Sequence, residues 1–239
     1  SLRPGARVAM EPGVPCGHCR QCRTGRYNLC PDVRFFATPP IDGAFAQYVT
    51  LDEAFAHPVP DSLSDEAAAL IEPLSVAVWA NRKARVEPGM SVLVSGAGPI
   101  GLGVMKFAKL AGAKVIAMDF SKERLRFSST WAEADGTIDA ASGEPVELLR
   151  TAAGGEMPGF VFDATGNVRS MEASLRFAAH GGTVVFVGLV NDKIRFDDPD
   201  FHKKELTLMG SRNATREDLV RVKEAMQAGD LDTNGFVSR

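Results

Sequence analysis

The chain has 239 residues, of which 45% are hydrophobic and 24% charged, and its 27 basic and 30 acidic side chains leave a formal net charge of −3. This composition is ordinary for a globular protein and excludes a disordered, fibrous or globally basic nucleic-acid-binding chain. No run reaches the roughly 18 apolar residues of a membrane span. No signal peptide is visible, and because the sequence opens on Ser1 rather than Met, we do not treat Ser1 as the native start.

The first sixty or so residues are divided into short pieces by frequent proline and glycine. Between these breaks we predict brief strands at Arg7–Met10, Ala44–Val49 and Phe55–Val59. Short strands separated by turn signals indicate irregular, mainly antiparallel β structure.

The remainder of the chain has a different, regular pattern. Residues from Ser62 to Arg85 predict helix in two parts, Asp65–Ile71 and Leu74–Arg85, with Pro73 between them. Thereafter buried-type apolar runs alternate with amphipathic segments, which indicates a parallel sheet with helices on both faces. The predicted strands are Val92–Ser95, Lys114–Asp119, Gly136–Asp139, Phe160–Asp163, Thr183–Gly188 and Leu206–Gly210. The predicted helices are Pro99–Ala111, Lys122–Thr130, Pro145–Ala152, Val168–Ala179, Asp200–Lys204 and Arg216–Ala228.

All four cysteines lie close together, at Cys16, Cys19, Cys22 and Cys30. A secreted disulfide framework would be spread more widely, so we expect a reducing, cytoplasmic setting and a metal site. Four thiolates without an open position are typical of structural Zn²⁺. Free thiols, two disulfides and an iron–sulfur cluster remain as alternatives. His18 lies inside the loop and is expected to be solvated.

A glycine-rich turn follows the first strand of the second half. Gly96, Gly98 and Gly101 occupy the G-x-G-x-x-G positions between a β run and a helix that begins with Pro99 and Ile100. The first glycine permits the tight turn, the second lets a pyrophosphate approach, and the third lets helix and strand pack closely. This context predicts a dinucleotide site and a Rossmann-type domain.

Asp119 ends the second strand of that domain, 18 residues after Gly101. A carboxylate there accepts hydrogen bonds from the adenosine ribose, so the predicted cofactor is NAD rather than NADP. Phe120 stands where an arginine would hold a 2′-phosphate. Lys122, Arg124 and Arg126 are the counter-evidence, and we include Arg124 among the cofactor-binding residues.

Later strand ends should complete the same cleft, because ligands of such sheets bind outside the carboxyl ends of the strands. Thr165 follows the fourth strand, and Gly188 and Leu189 follow the fifth. We add Ser211, which follows the sixth strand, to the predicted cofactor-binding set.

These features together resemble the zinc-containing medium-chain alcohol dehydrogenases, in particular their sorbitol/polyol branch. The cysteine spacing matches the structural zinc lobe of that family. Similar segments are GRYNLC (25–30), FATPP (36–40), DGAFAQY (42–48), LIEPLSV (70–76) and GAGPIG (96–101). The segments FHKKELTL (201–208) and GSRNA (210–214) are more similar to sugar-acid (hexonate) oxidoreductases.

The resemblance implies the domain organisation and the activity. It implies a partial catalytic, GroES-like domain at 1–80 with the zinc lobe at 16–30, an NAD-binding Rossmann domain at 81–230, and a return to the catalytic domain at 231–239. The expected fold class is therefore α/β, a six-stranded parallel sheet plus part of a mainly antiparallel β domain. The expected reaction is NAD-linked oxidation of a secondary alcohol on a polyol or sugar acid, with a catalytic zinc as Lewis acid.

One part of the family pattern is missing. Family members hold the catalytic zinc with an earlier Cys and a His-Glu pair, and this chain has no cysteine outside 16–30 and no His-Glu dipeptide. We therefore expect a truncated chain that is inactive, or nearly so, on its own. By resemblance Glu72 is the remaining candidate near the catalytic metal; alternatively it is a helix-start acid at the Pro73 turn.

A second class of function competes with the dehydrogenase. The cysteine loop is locally basic, so a non-catalytic nucleotide-sensing or nucleic-acid-binding module with a zinc knuckle is the alternative. The negative net charge weighs against nucleic acid as a partner. We expect a small-molecule substrate, no membrane partner and, by resemblance, a homodimer or homotetramer.

Overall fold

A computed structural model describes residues 2–237 of the chain. The chain divides into two compact units, Ser1–Val76 with Arg212–Arg239, and Ala77–Ser211. The domain bounds expected from the sequence, 1–80, 81–230 and 231–239, stay a prediction, and residues 1, 238 and 239 of those spans lie outside the described residues. Within residues 2–237, none of the helices combines the length and apolar character that a membrane span requires.

The first unit begins with short antiparallel pairs, as predicted. Strand β1 (Val8–Met10) pairs with β4 (Ala56–Pro58), and β2 (Gly13–Val14) pairs with β3 (Arg34–Phe35). Helix α1 (Arg20–Arg23) and the 3₁₀ turn Tyr27–Leu29 lie between β2 and β3, and a second 3₁₀ turn, Glu53–Phe55, lies between β3 and β4.

The strand predicted at Ala44–Val49 is wrong. These residues form an irregular segment, and Phe45 and Tyr48 are fully or almost fully exposed. A short apolar run becomes a strand only where a neighbouring strand satisfies its backbone groups, and no described strand pairs with this segment.

The two helical pieces predicted around Pro73 are a single helix, α2 (Asp65–Ala84). Proline inside a helix removes one backbone hydrogen bond. Here Ile71 and Leu74, on either side of Pro73, are both buried, and this burial offsets the loss. Glu72 is therefore an acid in a helix interior, and its predicted place at a helix start is wrong.

The second unit is a six-stranded parallel sheet, which confirms the predicted fold class. Its strand order is β10-β9-β8-β5-β6-β7. Strand β5 therefore has β6 on one side and β8 on the other, and the chain changes direction across the sheet at this point. The strands are β5 (Ser91–Ser95), β6 (Lys114–Asp119), β7 (Gly136–Asp139), β8 (Phe160–Asp163), β9 (Thr183–Phe186) and β10 (Thr207–Gly210).

Five helices connect these strands, and their bounds agree with the prediction to within a few residues. They are α3 (Pro99–Leu110), α4 (Lys122–Thr130), α5 (Pro145–Ala152), α6 (Val168–Phe177) and α7 (Asp198–Lys203). The core is built from strand residues that are almost completely buried, among them Leu93, Ile116, Val161 and Val184. Helix α8 (Arg216–Ala228) follows in the first unit and begins with a capping box of Thr215 and Asp218.

Candidate functional site

The glycine-rich turn lies at the carboxyl end of β5. Gly96 has φ +93°, a conformation that side chains rarely adopt, and Gly98 is the N-cap of α3, with Pro99 in its first turn. A methyl group on Gly101 would lie 1.7 Å from the carbonyl oxygen of Gly96. The helix can therefore begin this close to the strand only with glycine at 101.

The space over Gly98 is open, in contrast to that over Gly101. A Cβ added at Gly98 would have no heavy atom within 4 Å. The first N–H groups of a helix have no partner within the helix, and the helix dipole makes this end favourable for an anion. An open glycine at such a helix start fits the pyrophosphate of a dinucleotide.

Asp119 connects the end of β6 to this turn. Its Oδ2 accepts a hydrogen bond from Ala97 N–H at 2.7 Å, and its Oδ1 accepts one from Ser121 N–H at 2.8 Å. The next side chain, Phe120, is 74% exposed. Arg124 is exposed on α4, where its backbone N–H donates to Ser121 Oγ.

The turn after β8 lies between two glycines. A Cβ on Gly96 would be 3.1 Å from Thr165 N, and a Cβ on Gly188 would be 2.5 Å from Gly166 N. Thr165, predicted to contact the cofactor, is thus next to both glycine turns. Leu189, which follows Gly188, is 90% exposed.

Ser211 is attached to the same sheet by its backbone. Its N–H donates to the Phe186 carbonyl at 2.8 Å, and its Oγ is buried without a hydrogen-bond partner among the described residues. The predicted residues from Gly96 to Ser211 all belong to the Ala77–Ser211 unit. Asp163, at the end of the predicted fourth strand, was not among the predicted site residues, although it holds the Thr165 turn. An Asp followed two residues later by Thr is a turn signal that could have revealed it.

The four cysteines converge on one point. All four Sγ atoms lie within 4.8 Å of one another, with 3.4 Å between those of Cys19 and Cys22 and 3.9 Å between those of Cys16 and Cys22. A tetrahedron with Zn–S bonds of about 2.3 Å has edges of about 3.8 Å. The sulfur positions therefore fit one tetrahedral zinc ion.

Backbone groups support the sulfur atoms. The Cys16 N–H donates to Cys30 Sγ, the Cys19 N–H to Cys16 Sγ, and the Cys22 N–H to Cys19 Sγ, at 3.3 to 3.4 Å. His18 is exposed, and its Nδ1 lies 2.9 Å from the Cys16 carbonyl oxygen. It does not belong to the cysteine group.

Glu72 lines a small cavity in the first unit. The cavity has a volume of about 20 Å³, enough for about one water molecule, and Glu11, Tyr27 and Asn28 also line it. Burial, and then the charge of Glu11, raise the pKa of Glu72. Glu11 Oε2 lies 3.0 Å from His57 Nε2.

A catalytic zinc does not fit the side chains that the structure describes. Such an ion needs about three protein ligands. Within residues 2–237, the cysteine cluster is the only group of three or more His, Cys, Asp or Glu side chains placed to hold a metal. Glu72 does not belong to that group.

Two family models match different parts of this chain. Residues 99–228 match the zinc-binding dehydrogenase family, and residues 1–61 match the GroES-like domain of alcohol dehydrogenases.

Curated relatives cover nearly the whole chain. L-galactonate-5-dehydrogenase of Escherichia coli (strain K12) is 42% identical over 230 residues, which are 96% of this chain and 67% of that protein. Sorbitol dehydrogenase of Bacillus subtilis (strain 168) is 38% identical over 211 residues, 87% of this chain and 60% of that protein. The chain thus spans about two thirds of the length of these relatives.

Solved structures show the same fold with bound cofactor. A protein of E. coli CFT073, named as a short chain alcohol dehydrogenase and in complex with NADH, is 27% identical at a TM-score of 0.87, covering 95% of this chain and 67% of that one. A protein of Sinorhizobium meliloti 1021, named as a zinc-binding dehydrogenase and bound to NADP, is 29% identical at a TM-score of 0.89, covering 97% and 68%. The resemblance seen in the sequence is confirmed: the chain belongs to the zinc-binding alcohol dehydrogenases.

Proposed function

We propose that this chain binds NAD at the carboxyl ends of β5, β6, β8 and β9, and that it acts in the oxidation of a secondary alcohol of a polyol or sugar acid. The observation that carries the proposal is the bond between Asp119 and Ala97 beside the open Gly98. This arrangement supports the proposal, because a carboxylate suited to accept from a ribose lies beside a helix start suited to an anion, at the crossover point of the sheet.

We assign most of the predicted residues to one of two parts of the cofactor. Gly98 leaves room for the pyrophosphate, and the N–H groups of Ile100 and Gly101 at the start of α3 are its proposed donors. Asp119 accepts from the adenosine ribose, while Thr165, Gly188, Leu189 and Ser211 border the other half of the site. When bound, NAD supplies the hydride acceptor.

The proposal favours NAD over NADP. A 2′-phosphate placed against the Asp119 carboxylate at a few Å would cost on the order of 1–4 kcal/mol. This corresponds to roughly 5- to 1,000-fold in affinity. Asp119 is fixed at both oxygens, whereas Arg124 is an exposed side chain on α4.

We propose a structural role for zinc at Cys16, Cys19, Cys22 and Cys30. A closed four-thiolate site contributes to folding rather than to chemistry. The lobe is too short to build a core of its own, since helix α1 has four residues, none of them buried.

The substrate class is inferred from the family. Relatives named for L-galactonate and sorbitol oxidation support a polyhydroxy substrate. Glu72 is proposed, by resemblance alone, to lie near a catalytic metal. Its place in a helix interior beside Glu11 is equally consistent with a buried structural acid.

The nucleic-acid-binding alternative is not favoured, because the relatives are dehydrogenases. We further propose a cytoplasmic homo-oligomer, a dimer or tetramer. Four cysteines without disulfides are consistent with a reducing compartment, and the oligomer rests on the family resemblance. Sedimentation of the purified protein tests the oligomer, and a monomer would contradict it.

Titration with NADH and NADPH tests the central proposal. Both tryptophans of the chain, Trp79 and Trp131, lie in the Ala77–Ser211 unit, so energy transfer from tryptophan to the reduced nicotinamide is a convenient signal. We expect saturable binding with NADH preferred. No binding of either nucleotide would overturn the proposal. NAD reduction by the protein encoded by the whole gene, assayed with sorbitol, xylitol and hexonates, then tests the substrate class.

A further inference from the structure

Asp163 is a buried carboxylate at the carboxyl end of β8. The residue has 0% of its surface exposed, so it does not contact a ligand in the cleft. Burial raises its pKa, and among residues 2–237 no cationic side chain is paired with it. Burying an unpaired carboxylate is costly unless donors surround it, so the interactions of this one need an explanation.

Three donors surround this carboxylate, and two of them belong to Thr165. Oδ1 accepts from Thr165 N–H at 3.0 Å and from Thr165 Oγ1 at 2.7 Å, and Oδ2 accepts from Ser170 Oγ at 2.5 Å. Asp163 thereby connects the turn after β8 to helix α6, on which Ser170 lies.

The turn held by Asp163 is in close contact with both glycine turns. The Ala164 N–H donates to the Ser95 carbonyl at 2.9 Å, and Gly188 N–H donates to the Asp163 carbonyl at 2.9 Å. A Cβ on Gly188 would come within 2.5 Å of Gly166 N. A shift of a few tenths of an ångström in this turn would therefore alter the gap between the turns after β5 and β9.

The gap between the turns after β5 and β9 lies on the side of the sheet opposite to Asp119. Asp119 ends β6, and β8 and β9 lie on the opposite side of β5 from β6. If Asp119 takes the adenosine ribose, the turns after β8 and β9 border the nicotinamide half, since a dinucleotide extends across the crossover point.

We propose that Asp163 is a positioning residue for the cofactor: it fixes the Thr165–Gly166 turn so that the nicotinamide half of NAD finds its cleft already formed. The inference rests on the proposed NAD binding. Asp163 acts through hydrogen bonds to the turn and not by contact with the cofactor.

The role predicts a selective defect. Asp163→Ala removes the anchor of the turn but leaves Asp119 and its adenosine half intact. We expect the affinity for NADH to fall about tenfold or more, equivalent to about 1.4 kcal/mol, while that for 5′-AMP changes less than about twofold. Asp163→Asn keeps an oxygen for both donors of Thr165 and a second polar atom near Ser170, so it should stay within about threefold of wild type for NADH.

Two serines of α6 provide a matched pair in case Asp163→Ala does not fold. Ser170 donates to Asp163, whereas the fully buried Ser174, one turn later, donates to the Met171 carbonyl. Ser170→Ala should weaken NADH binding by roughly threefold or more, because a hydrogen bond to a charged group is lost. Ser174→Ala removes the same hydroxyl from the same helix and should leave NADH binding unchanged.

The test is titration of each purified variant with NADH and with 5′-AMP, alongside thermal unfolding. Wild-type protein that fails to bind NADH would overturn the proposed function itself. Wild-type protein that binds NADH, together with Ser170→Ala and any folded Asp163→Ala that bind it equally well, would overturn only the positioning role. A parallel loss of NADH and AMP binding would also overturn it, since it would indicate a general disturbance of the unit.

Discussion

Asp119 Oδ2 lies 2.7 Å from the N–H of Ala97, so the carboxylate at the end of β6 holds the glycine turn after β5 in place. Because Oδ1 accepts a hydrogen bond from Ser121 N–H as well, the orientation of the Asp119 carboxylate is fixed without a bound ribose. A carboxylate oxygen can accept more than one hydrogen bond. Asp119 is therefore proposed to position the turn that meets the pyrophosphate and also to bind the ribose.

This double role shapes the outcome of Asp119→Ser. Loss of the negative charge should narrow the preference for NADH over NADPH by about tenfold, because the repulsion of the 2′-phosphate disappears. The affinity for NADH itself should also fall, since Ala97 N–H loses its acceptor. Parallel titrations with NADH and NADPH measure both effects.

Glu123→Gln is the matched control for Asp119→Ser. Glu123 is an exposed acid in the first turn of α4, so its removal changes the net charge equally without touching the strand end. We expect the control to leave the preference unchanged. Tighter binding of NADPH than NADH by the wild-type protein would contradict the assignment of Asp119.

Substitutions of two glycines should distinguish an effect on NADH affinity from an effect on folding stability. The methyl group of Gly98→Ala would meet no neighbouring atom. The substitution replaces the N-cap residue of α3, which should change the free energy of unfolding by no more than about 1 kcal/mol. Because the methyl group would occupy the pyrophosphate space, NADH affinity should fall by about tenfold or more. Thermal unfolding and NADH titration of the same preparation provide the two measurements.

Gly101→Ala, in contrast to Gly98→Ala, should reduce thermal stability clearly. Its methyl group would overlap the Gly96 carbonyl oxygen at 1.7 Å, so α3 would have to move away from β5. We expect a clear loss of thermal stability, several degrees or more, in addition to weaker NADH binding. An unfolding transition like that of Gly98→Ala would show that the close approach is not required.

The parallel sheet could be predicted from sequence because its signals are local. Strands such as Val92–Ser95 are continuous apolar runs, and the helix after Gly98 begins with proline at a position that tolerates it. The segment Ala44–Val49 is rich in apolar residues too, but a strand also needs a partner, which local sequence does not reveal. Pro73 was misjudged because the burial of Ile71 and Leu74 depends on tertiary contacts.

The residues of the candidate sites also fall into two groups: those that local sequence predicts and those whose importance depends on tertiary contacts. Glycine and cysteine spacing predicts ligand types because few side chains suit a pyrophosphate or a tetrahedral zinc ion. Asp163 was not predicted, since its importance comes from Ser170 and from Gly188, which approach it only in the folded sheet. Glu72 was singled out by resemblance, and the cavity it shares with Glu11 and Tyr27 was not visible in the sequence.

Loss of one cysteine should release the zinc. Cys22→Ser removes a ligand whose Sγ lies 3.4 Å from that of Cys19 and 3.9 Å from that of Cys16. We expect the zinc content, measured by elemental analysis, to fall from about one ion per chain to well below half. Folding stability should fall while NADH affinity changes little, because a closed metal site contributes folding free energy.

His18→Ala is the control for the zinc site. The His18 side chain is exposed, its Nδ1 lies 2.9 Å from the Cys16 carbonyl oxygen, and it does not belong to the cysteine group, so its removal should leave the zinc content unchanged. Loss of zinc in His18→Ala would show that the histidine is a ligand. Native protein with four reactive thiols and no zinc would contradict the site altogether.

A pH-dependent contribution to stability is expected from Asp135, beside β6. Burial alone would raise the pKa of this carboxyl, but the Lys109 ammonium and the Val115 N–H, which bond it at 2.7 to 2.9 Å, lower it below the usual range. An acid with a lowered pKa in the folded state binds fewer protons than in the unfolded state, so stability rises with pH across that interval. The contribution should be complete above about pH 4, near the unfolded pKa of Asp, and be lost as the pH falls below it.

Asp135→Asn should therefore destabilise the protein at pH 7 and matter less in acid. The Asp135 side chain is 34% exposed, so solvent screening limits the ion pair to about 0.5–1 kcal/mol. Urea denaturation followed by tryptophan fluorescence reports on this unit, because Trp79 and Trp131 both lie within it. The difference between variant and wild type should be present at pH 7 and pH 5 and shrink towards pH 3.5. A double-mutant cycle of Asp135→Asn and Lys109→Met isolates the contribution of the ion pair to stability. A stability difference between Asp135→Asn and wild type that grows on acidification would contradict the lowered pKa of Asp135.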